Sequence, residues 1–395
     1  MRRALTVTAV GLVVILLLGL VAGGWYYSDQ LLPAPPPWEP VLEVEVLASD
    51  EPAGVLELAV TDGDLVDLGT VGLVAADGLV VLEGPAERGP DSTVRRGELL
   101  DGSWPEAGEL VGASVDTFAG DPERTLGLGV TEVAVPSPDG PLPAWRVVPG
   151  DAAGDPADGP ADLPWVVLVH GRGGGLSEGN RTLAVANRLG LPTLTISVRN
   201  DPDAPVDPDG FGRYGDAEWE DLQAAIDHLQ DVEGAERFVL VGYSQGGSIA
   251  LGFLRRSPDA GTVDAAVLVS PLVSLHETLV LQAQQRDIPD PVIPPLLWAT
   301  RWITTLRAGL DFAQVEHLDR IDELPDHVPL LVTHGGADTT VPVGPSRDLA
   351  AALPGQVTYE EYGGSEHVRE WNTDRERFEA DLEAHLRAHV LEPAG

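Results

Sequence analysis

The stretch Phe238-Val239-Leu240-Val241-Gly242-Tyr243-Ser244-Gln245-Gly246-Gly247 decides how the rest of the chain is read. An apolar strand runs into Gly-x-Ser-x-Gly, and Ile249-Ala250-Leu251 follow with helical character. This is the setting of a sharp strand-to-helix turn that lifts one serine hydroxyl clear of a sheet. Glycine on either side fits, because such a turn strains the backbone and leaves no room for side chains. The pattern marks Ser244 as a candidate nucleophile, against the plainer alternative of a tight structural turn.

Two later strands supply partners in chain order. Val328-Pro329-Leu330-Leu331-Val332-Thr333-His334-Gly335 leads into Gly336-Ala337-Asp338, placing Asp338 at a carboxyl end. Val357 to Tyr362 leads into Gly363-Gly364-Ser365-Glu366-His367, placing His367 on the next loop. The order Ser, Asp, His is the one that a nucleophile of this kind requires on an open sheet.

With His170-Gly171-Arg172-Gly173-Gly174 added, four motifs stand in the right order, and from about Gly127 onward the chain resembles an α/β-hydrolase. Within that superfamily it looks most similar to membrane-anchored bacterial serine hydrolases. It is more distantly similar to lysophospholipases, acyl-protein thioesterases and the catalytic domains of prolyl-oligopeptidase-type peptidases. The resemblance implies an α/β fold with a mostly parallel, doubly wound sheet and no cofactor or metal. It implies that Ser244 attacks a carbonyl, His367 relays the proton and Asp338 orients His367. The backbone N–H groups of Gln245 and Arg172 would form the oxyanion hole. Glu277 is the fallback acid, because some relatives place the acid on that loop. His170 and His334 are expected to brace their loops. His385 and His389 stand four apart without a third ligand, so no metal site is expected there. The Arg172 side chain is expected either to reach an anionic group of the substrate or to form a surface salt bridge. The acidic loop Asn200 to Gly210 matches no calcium-ligand spacing.

Composition excludes several functions. The net charge is −39, with 63 acidic residues against 24 basic ones, all of them arginine. Such a surface repels phosphate backbones, so nucleic acid is not an expected partner. There is no cysteine, hence no disulfide, thiolate metal site or thiol nucleophile.

Arg2-Arg3 precede an uncharged apolar run from Ala4 to Gly24. That length is near what a bilayer span requires, and the flanking charges place the following chain outside the cytoplasm. Residues 1–28 are therefore expected to be a single-pass membrane anchor, with a cleaved signal peptide as the alternative. Residues 29–40, rich in proline, read as a stiff linker. Residues 41–126 show short apolar stretches broken by Asp62-Gly63 and Asp77-Gly78, hence a β-rich accessory domain. Residues 127–395 form the catalytic domain, with a cap insertion at about 272–325. Ile293 to Leu310 reads as a cap helix or an ordinary packing helix; as a cap, its Trp298 and Trp302 would line an apolar substrate pocket. The expected activity is hydrolysis of a small or lipid-like acyl ester or thioester at the extracytoplasmic face of the cell membrane. The alternatives are a peptidase of the same fold and a non-catalytic surface binding protein.

Overall fold

The computed structural model describes residues 2–36, 40–59, 65–150 and 163–392. Asp62-Gly63 and most of the 149–164 linker lie outside the described residues. Six strands, β1 (Val44–Asp50), β2 (Val55–Ala59), β3 (Val71–Ala75), β4 (Gly78–Arg88), β5 (Ser92–Gly102) and β6 (Leu110–Ser114), close into a barrel in the order β1-β2-β5-β4-β3-β6. Alternate residues, among them Val46, Leu58, Leu73, Val80 and Leu82, fill its interior, so the barrel is packed and not a cavity. Asp77-Gly78 closes the β3–β4 hairpin, with Ala75 opposite Gly78.

Eight further strands form one sheet: β7 (Thr131–Ser137), β8 (Gly140–Val147), β9 (Trp165–Val169), β10 (Thr193–Ile196), β11 (Phe238–Tyr243), β12 (Val263–Val269), β13 (Leu330–Gly335) and β14 (Val357–Tyr362). Their order is β14-β13-β12-β11-β9-β10-β8-β7, parallel except where β8 pairs with β7 and β10 at one edge. The apolar runs explain this. Every residue of β9, β11 and β13 is buried, which only a sheet covered on both faces permits. Side chains alternate between the faces: Val167, Leu240 and Val332 pack in one core layer, Val166, Val239 and Leu331 in the other. Each buried valine or leucine contributes roughly 1.5–3 kcal/mol, which makes the sheet a rigid base for its loops.

The helices are α1 (Arg2–Leu31), α2 (Pro122–Leu126), α3 (Asn180–Arg188), α4 (Trp219–Glu233), α5 (Gln245–Arg256), α6 (Leu275–Gln285), α7 (Ile293–Ala308), α8 (Gly344–Ala352), α9 (Glu370–Thr373) and α10 (Arg375–Leu386). Among the described residues no helix is long and apolar enough to cross a membrane, so the expected span within 1–28 has no support there. The last turns of α1 instead lie along α7. A Cβ on Gly23 would meet Leu296 Cδ1 at 2.9 Å, and one on Gly24 would meet the Ala299 backbone at 2.9 Å. Only glycine allows so close a crossing.

Two expectations are corrected here. The first part of the proline-rich stretch is not a free spacer. Leu31 and Leu32 are buried, Pro33 bridges to Phe211, and Gly212 N–H donates to the Leu32 carbonyl at 2.9 Å. The apolar surface of the two leucines docks the chain onto the loops above the sheet. Nor do the cap tryptophans face the pocket: Trp298 and Trp302 are 65% and 57% exposed. The opposite face of α7, with Leu296, Leu297 and Thr300, is the one turned inward.

Candidate active site

β11 lies between β9 and β12, with Gly242 in register with Val169 and Leu268. Ser244 follows at φ 50°, ψ −109°, directly before α5. Left-handed backbone at a non-glycine residue costs on the order of 1–3 kcal/mol and persists only where the surroundings enforce it. Here they do so by contact. A Cβ on Gly246 would meet the Val169 carbonyl oxygen at 2.1 Å, and one on Gly242 would meet the Gly246 oxygen at 2.3 Å. Neighbouring strands hold the turn as well, since Ser244 N–H donates to the Val269 carbonyl at 2.9 Å.

Ser244, Asp338 and His367, distant in sequence, converge above the carboxyl ends of the strands. His367 Nε2 lies 2.8 Å from Ser244 Oγ, and His367 Nδ1 lies 2.6 Å from Asp338 Oδ2. The other Asp338 oxygen accepts the N–H groups of Thr340 and Val341, both at 2.8 Å. Burial alone would raise the pKa of this carboxyl. The hydrogen bonds from His334, His367 and the Val341 backbone outweigh it and hold Asp338 well below the usual carboxylate range. Asp338 is thus a fixed anion that favours the tautomer with a proton on Nδ1. Nε2 is then free to accept the Ser244 proton. Glu277 sits in the first turn of α6 and is not the partner of His367.

Gln245 opens α5, where helix N–H groups lack intrahelical acceptors. On the facing loop, Gly171 N–H is taken up by the buried Glu178 carboxylate at 2.6 Å, and the next residue, Arg172, lines the same cavity as Ser244. His170 braces this loop. Its Nδ1 meets the Gly171 carbonyl and its Nε2 the Asp201 carboxylate, both at 2.7 Å. Both partners are acceptors, so the ring carries two protons. Burial would lower its pKa, but Asp201 overrides this and raises it to about 9. The acidic 200–210 loop is therefore partly committed to pairing. Asp201 holds His170, and Asp207 is ion-paired with Arg213.

The triad opens into a cavity of about 420 Å³. Its apolar walls include Leu272, Leu275, Leu279, Ile288 and Leu297, and Tyr27, Gln30 and Leu31 of α1 close one side. Among the described residues that line it there is no carboxylate. Among the described residues the Arg172 side chain has no salt bridge; it donates to the carbonyls of Leu31 and Pro33 at 3.1 and 2.6 Å. Its guanidinium also stacks on Tyr214, 5.4 Å from the ring centre.

Sequence reasoning missed Glu178, the α1 contribution and the supports of the His367 loop. Ser270, at φ 43°, donates to buried Glu370 at 2.7 Å, and Val368 N–H donates to Ser270 Oγ at 3.4 Å. No motif signals these residues, although the Gly23-Gly24 pair was a readable sign of close helix approach. His334 is buried, with Nδ1 2.8 Å from Ser346 Oγ. The His385 and His389 rings lie 4.9 Å apart, tilted at 59°, and no cluster of three metal-ligating side chains occurs among the described residues.

A family model described as serine aminopeptidase, S33, matches residues 209–308, a span that includes Ser244 and α7 but ends before Asp338 and His367. The sn-1-specific diacylglycerol lipase of Mus musculus is 35% identical over 116 residues, covering 29% of this chain and 36% of that protein. An uncharacterized protein of Mycobacterium tuberculosis is 28% identical over 252 residues, 62% of this chain and 79% of its own length. Among solved structures, the Pyrococcus furiosus esterase Pf2001 superposes with a TM-score of 0.52 at 18% identity, covering 69% of this chain and 95% of its own.

Proposed function

We propose that the chain is a serine hydrolase of the α/β-hydrolase superfamily that cleaves carboxylic esters or thioesters through an acyl-enzyme. Ser244 Oγ attacks the carbonyl carbon while its proton passes to His367 Nε2. The tetrahedral oxyanion is held by the N–H groups of Gln245 and Arg172. Its collapse breaks the bond to the leaving oxygen or sulfur, which takes the proton from His367. Water then attacks the acyl-serine, gives its proton to His367, and releases the acid as Ser244 regains its hydrogen. The observation that carries this reading is the 2.8 Å and 2.6 Å relay opening onto an apolar cavity.

The family description brings a second reading, an aminopeptidase. Recognition of a substrate amino terminus calls for a carboxylate, and the cavity lining has none among the described residues, which favours an acyl chain instead. Labelling with a fluorophosphonate probe decides the nucleophile: wild type is expected to label and Ser244→Ala to lose all labelling. A nitrophenyl ester series run beside aminoacyl nitroanilides decides the bond, and preference for the anilides would favour the peptidase.

The tether and the location belong to the same proposal. The run from Ala4 to Gly24 is uncharged, and Val14 to Leu18 expose apolar side chains. A helix apolar on its exposed surface fits a lipid environment. We expect the full chain to stay with membranes in alkaline carbonate washing, with the catalytic domain open to protease added from outside. Release by the wash would count against the tether.

A further inference from the structure

We propose that the end of the N-terminal helix is a working part of the acyl site: Tyr27 and Leu31 set which acyl chains fit, and the Arg172 side chain uses the helix terminus to position the oxyanion loop. This rests on the ester-hydrolase reading and goes beyond it, because it assigns substrate selection to a segment that sequence places far from the catalytic motifs.

Three observations carry it. First, Tyr27, Gln30 and Leu31 line the same cavity as Ser244 and His367, together with Leu296 and Leu297 of α7. Second, the helix end is locked in place. Ser28 Oγ is 3.0 Å from both Thr304 Oγ1 and an Arg307 nitrogen, and Asp29 pairs with Arg307 at 2.6 Å. Gly23 and Gly24 fit against Leu296 and Ala299 with no room for a Cβ. Third, the helix terminus ends on the oxyanion loop. The Leu31 carbonyl accepts from Tyr214 OH at 2.7 Å and from Arg172 at 3.1 Å, while Pro33 takes the second Arg172 bond. Pro35 then lies against Gly173, whose added Cβ would meet Pro35 Cγ at 3.0 Å. The terminal carbonyls of a helix have no intrahelical donors and carry partial negative charge, so a guanidinium there satisfies both needs. The residue that this contact fixes is the one that the proposed mechanism makes an oxyanion donor.

The test uses the full chain in detergent with nitrophenyl esters from acetyl to palmitoyl. Tyr27→Ala and Leu31→Ala enlarge one wall, so the ratio of long-chain to short-chain kcat/KM should rise roughly tenfold. Trp298→Ala, on the outward face of α7, should leave that ratio unchanged. Arg172→Ala keeps the backbone N–H but frees the loop. Here kcat should fall on the order of tenfold to a hundredfold with KM nearly constant, and Arg172→Lys should restore part of it. Unchanged chain-length ratios in both wall variants would overturn the selection role. A rise in KM at constant kcat in Arg172→Ala would mean that the guanidinium binds substrate and does not position the loop. Wild type that hydrolyses none of the esters would sink the ester reading itself, a result distinct from either of these.

Discussion

At the scale of single residues, the site depends on charges and backbone angles that cannot relax. Asp338 is fully enclosed and accepts two backbone N–H groups besides the His367 proton, so it stays ionised far into acid. Asp338→Asn preserves the shape but presents an amide that stabilises the wrong imidazole tautomer. By the precedent of such triads, kcat should drop on the order of 10⁴-fold while KM changes little. Steady-state kinetics on an ester substrate measure this, and a loss below tenfold would show that the carboxylate has no part in the relay. The left-handed serine is equally constrained. Its geometry comes from Gly242 and Gly246 pressed against neighbouring backbone, which is why the motif tolerates no side chain at either place.

At the scale of elements, the loop from His170 to Gly173 is held by a buried ion pair. His170 is raised to about 9 in the folded protein from an ordinary value of 6.5, with Asp201 overriding the cost of burial. A histidine raised on folding adds stability that is complete below pH 6.5 and disappears as pH climbs through about 9. The melting temperature should therefore fall over that window, and the stability at stake is on the order of 3 kcal/mol. His170→Gln should flatten this part of the pH–Tm curve. A wild-type curve that is level from pH 6.5 to 9 would contradict the pairing. The same brace sets Gly171, so activity should decline with stability over the same range.

For the whole molecule, Asn372 is one of several side chains that tie the barrel to the segment after His367. Asn372, five residues after His367, donates to the carbonyls of Thr70 and Val115 at 3.0 and 2.9 Å and contacts Thr117 Oγ1 at 3.0 Å. Its own carbonyl oxygen accepts from buried Arg181 at 3.0 Å, and Arg181 also donates to the Val368 carbonyl at 3.1 Å. The barrel is therefore expected to clamp the loop that carries the histidine. Asn372→Ala would leave several buried groups without partners, each worth about 1–3 kcal/mol. We expect a lower melting temperature, measured by calorimetry, together with a reduced kcat in the variant that remains folded. Full kcat at normal stability would mean that the barrel has no such role.

Local pattern was enough for the sheet, and for the order of Ser244, Asp338 and His367 at strand ends. Uninterrupted apolar runs admit only burial on both faces, and Gly-x-Ser-x-Gly after such a run admits few backbone shapes. Packing between distant segments decided the rest. α7 carries two apolar stripes, one through Trp298, Trp302 and Leu306 and one through Ile293, Leu296 and Leu297, and periodicity alone ranks neither. The first is exposed and the second is inward because α1 and α6 cover only the second. The same holds for Arg172, Asn372 and the 31–36 segment. Their partners lie tens to hundreds of residues away, and a sequence fixes which groups need partners without saying which distant groups the folded chain will supply.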